Sequence, residues 1–431
     1  MIAKRLALAF AAILVSLVLL EVGTRALHRI RHGEPFPGDA LRERLAPTDD
    51  PDRVLEARGP RDGQRGVRFG NKAIHPYLGY VLDREAGGRR EVNRFGFYGP
   101  DPLARPAADE VRVALTGGSV AVQLCDERGA DLVEALSPLE GYEGKRIHVL
   151  CLAAPGYKQP QQLLALTWLL SLGARFDVVI NLDGFNEAVL PLSDNAPHGV
   201  HSSFPRSWDF YQTRIVGGAE IARAAEIRRL EHERSALRDR LGTGPLSRSA
   251  FLLSILSRLD ASLGERIASS NAALRDSRRG SRQSFQATGP FVPFTSEAAL
   301  HQEMAAVWQR SSLQMARLVR AGGGRYYHFL QPNLWLPDSK LLSPAEQDLR
   351  RVREPFAPKL AVPVTYPLLE RAGEDLVEEG VAFRSLTGLF RDEERPVYRD
   401  SCCHFNRLGT GALARGIADF VAHQNHAEKD E

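Results

Sequence analysis

The stretch Val111-Arg112-Val113-Ala114-Leu115-Thr116-Gly117-Gly118-Ser119-Val120 decides the fold. Its first half, Val111 to Leu115, is mostly β-branched and apolar and runs directly into a glycine turn, as a buried strand does where it meets a loop. The same pattern returns at Ile147 to Ala153, Val178 to Leu182 and Tyr326 to Leu330, with a weaker copy at Val381 to Leu386. Longer segments of helical periodicity separate these runs. Continuous apolar strands alternating with helices predict an α/β protein whose parallel sheet is covered on both faces. In such sheets the reacting groups collect at the carboxyl ends of the strands, so those ends are where chemistry is sought.

Three of them carry suggestive residues, and a fourth motif precedes the last helix. Ser119 follows two glycines, where backbone can approach a substrate closely and the next helix offers free amides to an anion. A tight turn or a phosphate loop looks similar, but the Lys of a P-loop is missing. The second run ends in Ala153-Ala154-Pro155-Gly156-Tyr157, a further glycine turn at the same edge. The third ends in Asp183-Gly184-Phe185-Asn186-Glu187, where Asn186 serves either as a helix cap or as an uncharged NH2 donor to a developing oxyanion. Near the carboxyl end, Asp400-Ser401-Cys402-Cys403-His404-Phe405-Asn406 precedes a helical pattern from Thr410 to His423. An acid just before a histidine is a compact way to orient an imidazole as general base.

Around this body the chain is heterogeneous. Lys4 and Arg5 precede an apolar run from Leu6 to Leu20, broken only by Ser16 and short of the roughly 20 residues a bilayer span needs. It reads as an uncleaved signal anchor over 1–25 that uses flanking residues to reach that length, or as a cleaved signal peptide. Glu21 and Arg25, four apart, are placed to pair on one helix face. Residues 26–68, rich in Pro, Gly and charge, read as a tether, with order starting near Phe69 and the main domain covering 69–425 ahead of a charged tail, 426–431. From about Asn195 to Ser296 the strand–helix alternation lapses. Ile227, Leu230, Leu237 and Leu241, then Leu252, Ile255, Leu259 and Leu263, predict an inserted helical hairpin broken at Gly242, Gly244 and Pro245. Its Arg228, Arg229, Arg234, Arg238 and Arg240, interleaved with acids, read as solvated surface. Across all 431 residues, 56 Lys+Arg against 53 Asp+Glu leave a formal charge of +3, which argues against a nucleic-acid partner.

The order of these four motifs resembles the SGNH subgroup of GDSL-type esterases and lipases, over roughly Asp83 to Val421 with the insertion set aside. The stretches Asn93-Arg94-Phe95-Gly96-Phe97-Tyr98-Gly99-Pro100 and Leu330-Gln331-Pro332-Asn333 look like membrane-anchored bacterial members. The resemblance implies a three-layer α/β/α sandwich with a flavodoxin-like sheet, plus the helical insertion and an amino-terminal membrane helix. It implies Ser119 as nucleophile, His404 as general base, Asp400 as triad acid, and Ser119, Gly156 and Asn186 as the oxyanion hole. The expected activity is that of an esterase or O-acyltransferase needing no cofactor or metal. Its substrate would be an acyl ester, on a surface glycan or lipid, met in the periplasm or outside the cell by a single-pass inner-membrane protein, or by a secreted one if the signal is cleaved. The alternative is an inactive member that binds glycan or serves an envelope assembly complex.

Three departures matter. Gly118 stands where the family's name-giving Asp would be, Cys151 and Ala153 replace the Asn and Gly usual before Gly156, and Asp400 precedes His404 by four residues rather than three. Asp392, Glu393 or a Ser-His dyad therefore remain alternatives for the acid. Of the four cysteines, Cys125 lies six residues after Ser119 and Cys402 and Cys403 adjoin His404, so a bridge from Cys125 to one of them is weighed against free buried thiols, with Cys151 as plain core.

Overall fold

The computed structural model describes residues 2–39, 41, 72–84, 91–125, 129–211, 218–241, 248–280, 285–290, 296–352 and 356–430. Most of the expected tether and Phe69 lie outside them. The strands are β1 (Lys72–His75), β2 (Gly79–Leu82), β3 (Glu110–Gly117), β4 (Arg146–Cys151), β5 (Val178–Asp183), β6 (Arg325–Leu330) and β7 (Ala382–Ser385). The helices are α1 (Ile2–His32), α2 (Ser119–Leu124), α3 (Ala130–Leu136), α4 (Gln161–Ser171), α5 (Phe185–Leu190), α6 (Trp208–Tyr211), α7 (Gly218–Leu241), α8 (Ala250–Gly280), α9 (Phe285–Thr288), α10 (Glu297–Ala321), α11 (Pro344–Leu349), α12 (Ala357–Glu378) and α13 (Arg407–Asp430). They fall into two compact units, Gly59–Gln212 with Gln283–Glu431, and Met1–Arg58 with Thr213–Arg282. The segments 195–212 and 283–296 therefore group with the sheet, and only the middle of the expected insertion groups apart.

The larger unit is built on a five-stranded parallel sheet in the order β4-β3-β5-β6-β7, flanked by helices in a manner compatible with a three-layer sandwich. The period-2 alternation of side chains explains the covering of both faces. On β6, Tyr326 and His328 face Ser312 of α10, while Phe329 packs on Phe420 of α13 and Tyr327 bonds Asn425 of the same helix. β3 is paired on both sides, Leu115 opposing Cys151 of β4 and Ile180 of β5. The chain winds outward in opposite directions from β3, which opens a crevice at the carboxyl ends of β3 and β5. Both Ser119 and Asn186 lie there, each in the first turn of the helix that follows its strand. The antiparallel hairpin β1–β2, absent from the sequence reading, brings Tyr80 beside the turn after β4, where its hydroxyl donates to Pro155 O at 2.8 Å. Helix α13 continues to Asp430, through most of the stretch expected as a tail.

In the smaller unit, the Glu21 carboxylate of α1 accepts the Ala250 and Phe251 N–H groups at 2.9 and 3.2 Å and the Ser249 hydroxyl at 2.9 Å, satisfying the free amides at the start of α8. Arg25 pairs with the same carboxylate at 2.7 Å. Helices α7 and α8 form the hairpin, but α8 buries Leu253, Leu256 and Asp260 and leaves Ile255 and Leu259 exposed, so the apolar stripe expected on this helix is displaced. On the buried side Asp260 receives Arg234 at 2.8 and 3.0 Å and Arg238 at 2.6 and 3.0 Å, which takes those two arginines out of the surface role expected for them. Among the described residues no helix is long and apolar enough to cross a membrane.

Candidate active site

Residues from opposite ends of the chain meet at the β3 end. His404 Nε2 lies 2.9 Å from Ser119 Oγ, and His404 Nδ1 lies 2.6 Å from Asp400 Oδ2. The other carboxylate oxygen, Asp400 Oδ1, accepts the backbone N–H groups of Cys402, Cys403 and His404 at 2.9, 3.1 and 3.2 Å. The extra residue between acid and histidine is thereby accommodated: the chain wraps around Asp400 in a tight turn whose amides converge on one oxygen. Burial by itself would raise the Asp400 carboxyl, but the bond and charge of His404 and the backbone donors outweigh it and hold the pKa below the ordinary aspartate value. Glu393 is engaged elsewhere, with Arg395 at 2.7 Å.

Asn186 is not the helix cap. Gly184 holds that position, and Glu187 accepts its N–H at 2.9 Å, which leaves Asn186 in the first turn with its amide free to reach the site. Asn186 Nδ2 donates to Tyr157 O at 2.7 Å, and a Cβ added at Gly118 would stand only 2.2 Å from that nitrogen. With no side chain at Gly118, the Asn186 amide lies against the Gly118-Ser119 turn, and any larger residue there would have to displace it. Gly156 sits in the neighbouring turn at φ +82°, with Arg206 and the Tyr80 hydroxyl where a side chain would be, so this position strongly favours glycine. Ser119, His404, Asp400, Asn186 and the Gly156 turn are thus drawn to one sheet edge.

The expected bridge from Cys125 to Cys402 or Cys403 does not form: Cys125 is bonded to Cys151. Six residues at about 1.5 Å each carry Cys125 some 9 Å along from Ser119, against the last residue of neighbouring β4. Cys151, expected as plain core, is thus a cross-link holding α2 to β4. Cys402 and Cys403 are free thiols with Sγ atoms 3.4 Å apart. Sulfur and nitrogen atoms of Cys402, Cys403 and His404 lie within 4.8 Å of one another, a spacing that a metal ion would accept. Both ring nitrogens of His404, however, already have protein partners.

Three sets of residues around the site had no sequence signal. Gln123 of α2 forms a reciprocal clamp with Phe405, its Nε2 donating to Phe405 O at 3.1 Å and its Oε1 accepting Phe405 N–H at 3.2 Å, so the helix that begins at Ser119 grips the residue after His404. Glu346, paired with buried Lys340 at 3.1 Å, accepts the N–H groups of Val397 and Tyr398 and so fixes the approach to Asp400. Beneath the edge, Asp183 gathers Trp308 Nε1 at 2.6 Å, Asn181 Nδ2 at 2.8 Å and His328 Nε2 at 2.9 Å. Next to it, Glu187 also accepts Gln159 N–H at 2.8 Å, and burial, then the Asp183 charge, pushes its carboxyl well above the usual glutamate range. Lys158 is buried too, donating to Ser202 O and Phe204 O, and burial lowers it to about 8. Comparison with known proteins adds nothing to this geometry, since no family model and no curated protein matches the chain.

Proposed function

We propose that the chain is a serine esterase or O-acyltransferase of SGNH type, using Ser119, His404 and Asp400 as a triad on a flavodoxin-like sheet. The observation that carries the reading is the relay from Asp400 through His404 to Ser119, at 2.6 and 2.9 Å, with an uncharged amide beside the serine. In it, His404 Nε2 takes the hydroxyl proton as Ser119 Oγ attacks an ester carbonyl, and Asp400 fixes the imidazole tautomer and stabilises the imidazolium. The oxyanion is received by the Ser119 and Gly156 amides and the Asn186 side chain. For Asn186 this means exchanging or sharing its bond to Tyr157 O, and its NH2 group has a second hydrogen to give. His404 then returns the proton to the leaving alkoxide, and water or a sugar hydroxyl takes the acyl group.

The apolar amino end is read as an inner-membrane signal anchor that places the sheet unit in the periplasm or outside the cell, facing O-acyl groups of a surface glycan or lipid. The Cys125–Cys151 bond supports an oxidising compartment. The test is hydrolysis of short-chain aryl esters by the purified full chain, with Ser119→Ala as control. Turnover lost in the variant supports the reading, and equal rates in both proteins overturn it.

A further inference from the structure

The two free thiols sit in the turn that builds the relay. Resting on the triad reading, we propose that Cys402 and Cys403 close a reversible disulfide with each other, and that closing it disengages His404 from Asp400 and Ser119. Their Sγ atoms are 3.4 Å apart and must approach to about 2.05 Å. Neighbouring Cα atoms stand about 3.8 Å apart across a trans peptide, less than the roughly 4.4 to 6.8 Å that disulfides usually span, so the ring closes only by distorting the peptide between the two residues. A strained disulfide is easily reduced, which makes the bond a switch rather than a brace.

The distorted peptide is the one that carries the Cys403 N–H, the middle of the three donors on Asp400 Oδ1, and the next residue is His404. The surrounding turn leaves little slack to absorb the change. Trp335 Nε1 donates to Ser401 O at 2.6 Å, Asn333 Nδ2 donates to Cys402 O at 3.1 Å, and Gln123 clamps Phe405. The displacement therefore falls on Asp400 and His404.

Access sets the order of steps. Cys402 is partly exposed and Cys403 is buried, and burial pushes the Cys403 thiol up. The Cys402 thiolate attacks a small-molecule disulfide such as oxidised glutathione, forming a mixed disulfide and releasing one thiolate. Cys403 Sγ then attacks Cys402 Sγ and expels the second. Two electrons pass from the cysteine pair to the oxidant, and the two thiol protons end on the two thiols released. Cys125 and Cys151, already bonded and both buried, take no part.

The experiment equilibrates the full chain with oxidised and then reduced glutathione, and reads three quantities. Mass spectrometry after alkylation of free thiols reports the ring, the low-field proton resonance of the His404–Asp400 bond reports the relay, and aryl-ester turnover reports activity. Expected in oxidised glutathione are loss of two hydrogens from the peptide holding Cys402 and Cys403, loss of the low-field signal, and a fall in turnover of about 100-fold, typical of a misplacement of about 1 Å. All three return in reduced glutathione. In Cys402→Ala the ratio of oxidised to reduced rate is expected to be one. Two alkylated cysteines after oxidant exposure, or a closed ring with the low-field signal unchanged, overturns the proposal. A ring that closes and abolishes the signal in a protein with no turnover in either state upholds the switch and overturns the hydrolase reading instead.

Discussion

Replacing Gly118 by alanine adds one methyl group to the nucleophile turn and isolates the role of Asn186. The backbone at Gly118, φ −92° and ψ −151°, is open to any residue, so the variant carries no conformational strain. The added Cβ would stand 2.2 Å from Asn186 Nδ2 and 3.3 Å from its Cγ. Ordinary contact begins near 3.5 Å, so the amide must retreat by about 1.3 Å. That retreat breaks the 2.7 Å bond to Tyr157 O and removes the NH2 group from the position beside Ser119. Loss of one oxyanion donor costs on the order of 100 to 1,000-fold in turnover, about 2.7 to 4 kcal/mol. Because the side chain that yields is the partly buried end of Asn186, the cost in stability should be about 1 kcal/mol, one hydrogen bond. The assay is a double-mutant cycle in kcat for an aryl ester: Gly118→Ala, Asn186→Ala and the pair, with urea midpoints measured in parallel. The two single variants should lose similar factors and the pair little more than either, since both act on one group. Full turnover in Gly118→Ala, or losses that multiply in the pair, would refute the reasoning. Gly118→Asp, with a larger and charged side chain at the same place, is expected to be at least as damaging as alanine.

Asp400→Asn keeps the size of the side chain but not the charge that orients His404, and kcat is expected to fall about 10,000-fold with the midpoint of unfolding still measurable; a loss under tenfold would return the acid role to another group. Glu187 carries a raised carboxyl, so between the free-glutamate value of 4.5 and its own higher value the folded chain holds a proton that the unfolded chain releases. Stability contributed by that proton is present below the lower value and is lost as pH rises through the window, and Glu187→Gln should flatten the decline in Tm there. An unchanged pH slope in the variant counts against the buried protonated acid. Cutting the Cys125–Cys151 cross-link, which closes a 26-residue separation, should cost about 3.5 kcal/mol on the loop-entropy relation, read as a lower guanidinium midpoint in the double serine variant. No shift in midpoint would show that α2 is held to β4 without it.

The sheet was legible because its strands are short, mostly apolar runs closed by glycine or, after β6, by Gln331-Pro332-Asn333, a signal that depends only on neighbours in sequence. Observed β3, β4, β5 and β6 differ from the expected runs by no more than two residues at either end. Ser119, Asn186 and the Asp400–His404 pair were legible for a related reason: each lies just beyond an element end, where topology dictates a common edge. What escaped the sequence depends on contacts between distant segments. The Gln123 clamp joins residues 282 apart, and nothing near Gln123 announces it. The cysteine pairing was misjudged because nearness to Ser119 in sequence was taken as nearness to Cys402 and Cys403, whereas the end of α2 brings Cys125 against Cys151 at the end of β4. The α8 stripe was misread because the buried face carries Leu253, Leu256 and the arginine-bound Asp260, while Ile255 and Leu259 of the expected stripe are exposed. At Gly118, where the sequence differs from the pattern it resembles, the Asn186 amide lies in the space a side chain would take.

The most direct test of the account is covalent labelling of the folded full chain with a fluorophosphonate, read by intact mass and peptide mapping. The triad geometry predicts a single adduct on Ser119, absent in Ser119→Ala and strongly slowed in His404→Ala. A folded protein that forms no adduct, or forms it on another residue, would contradict the account.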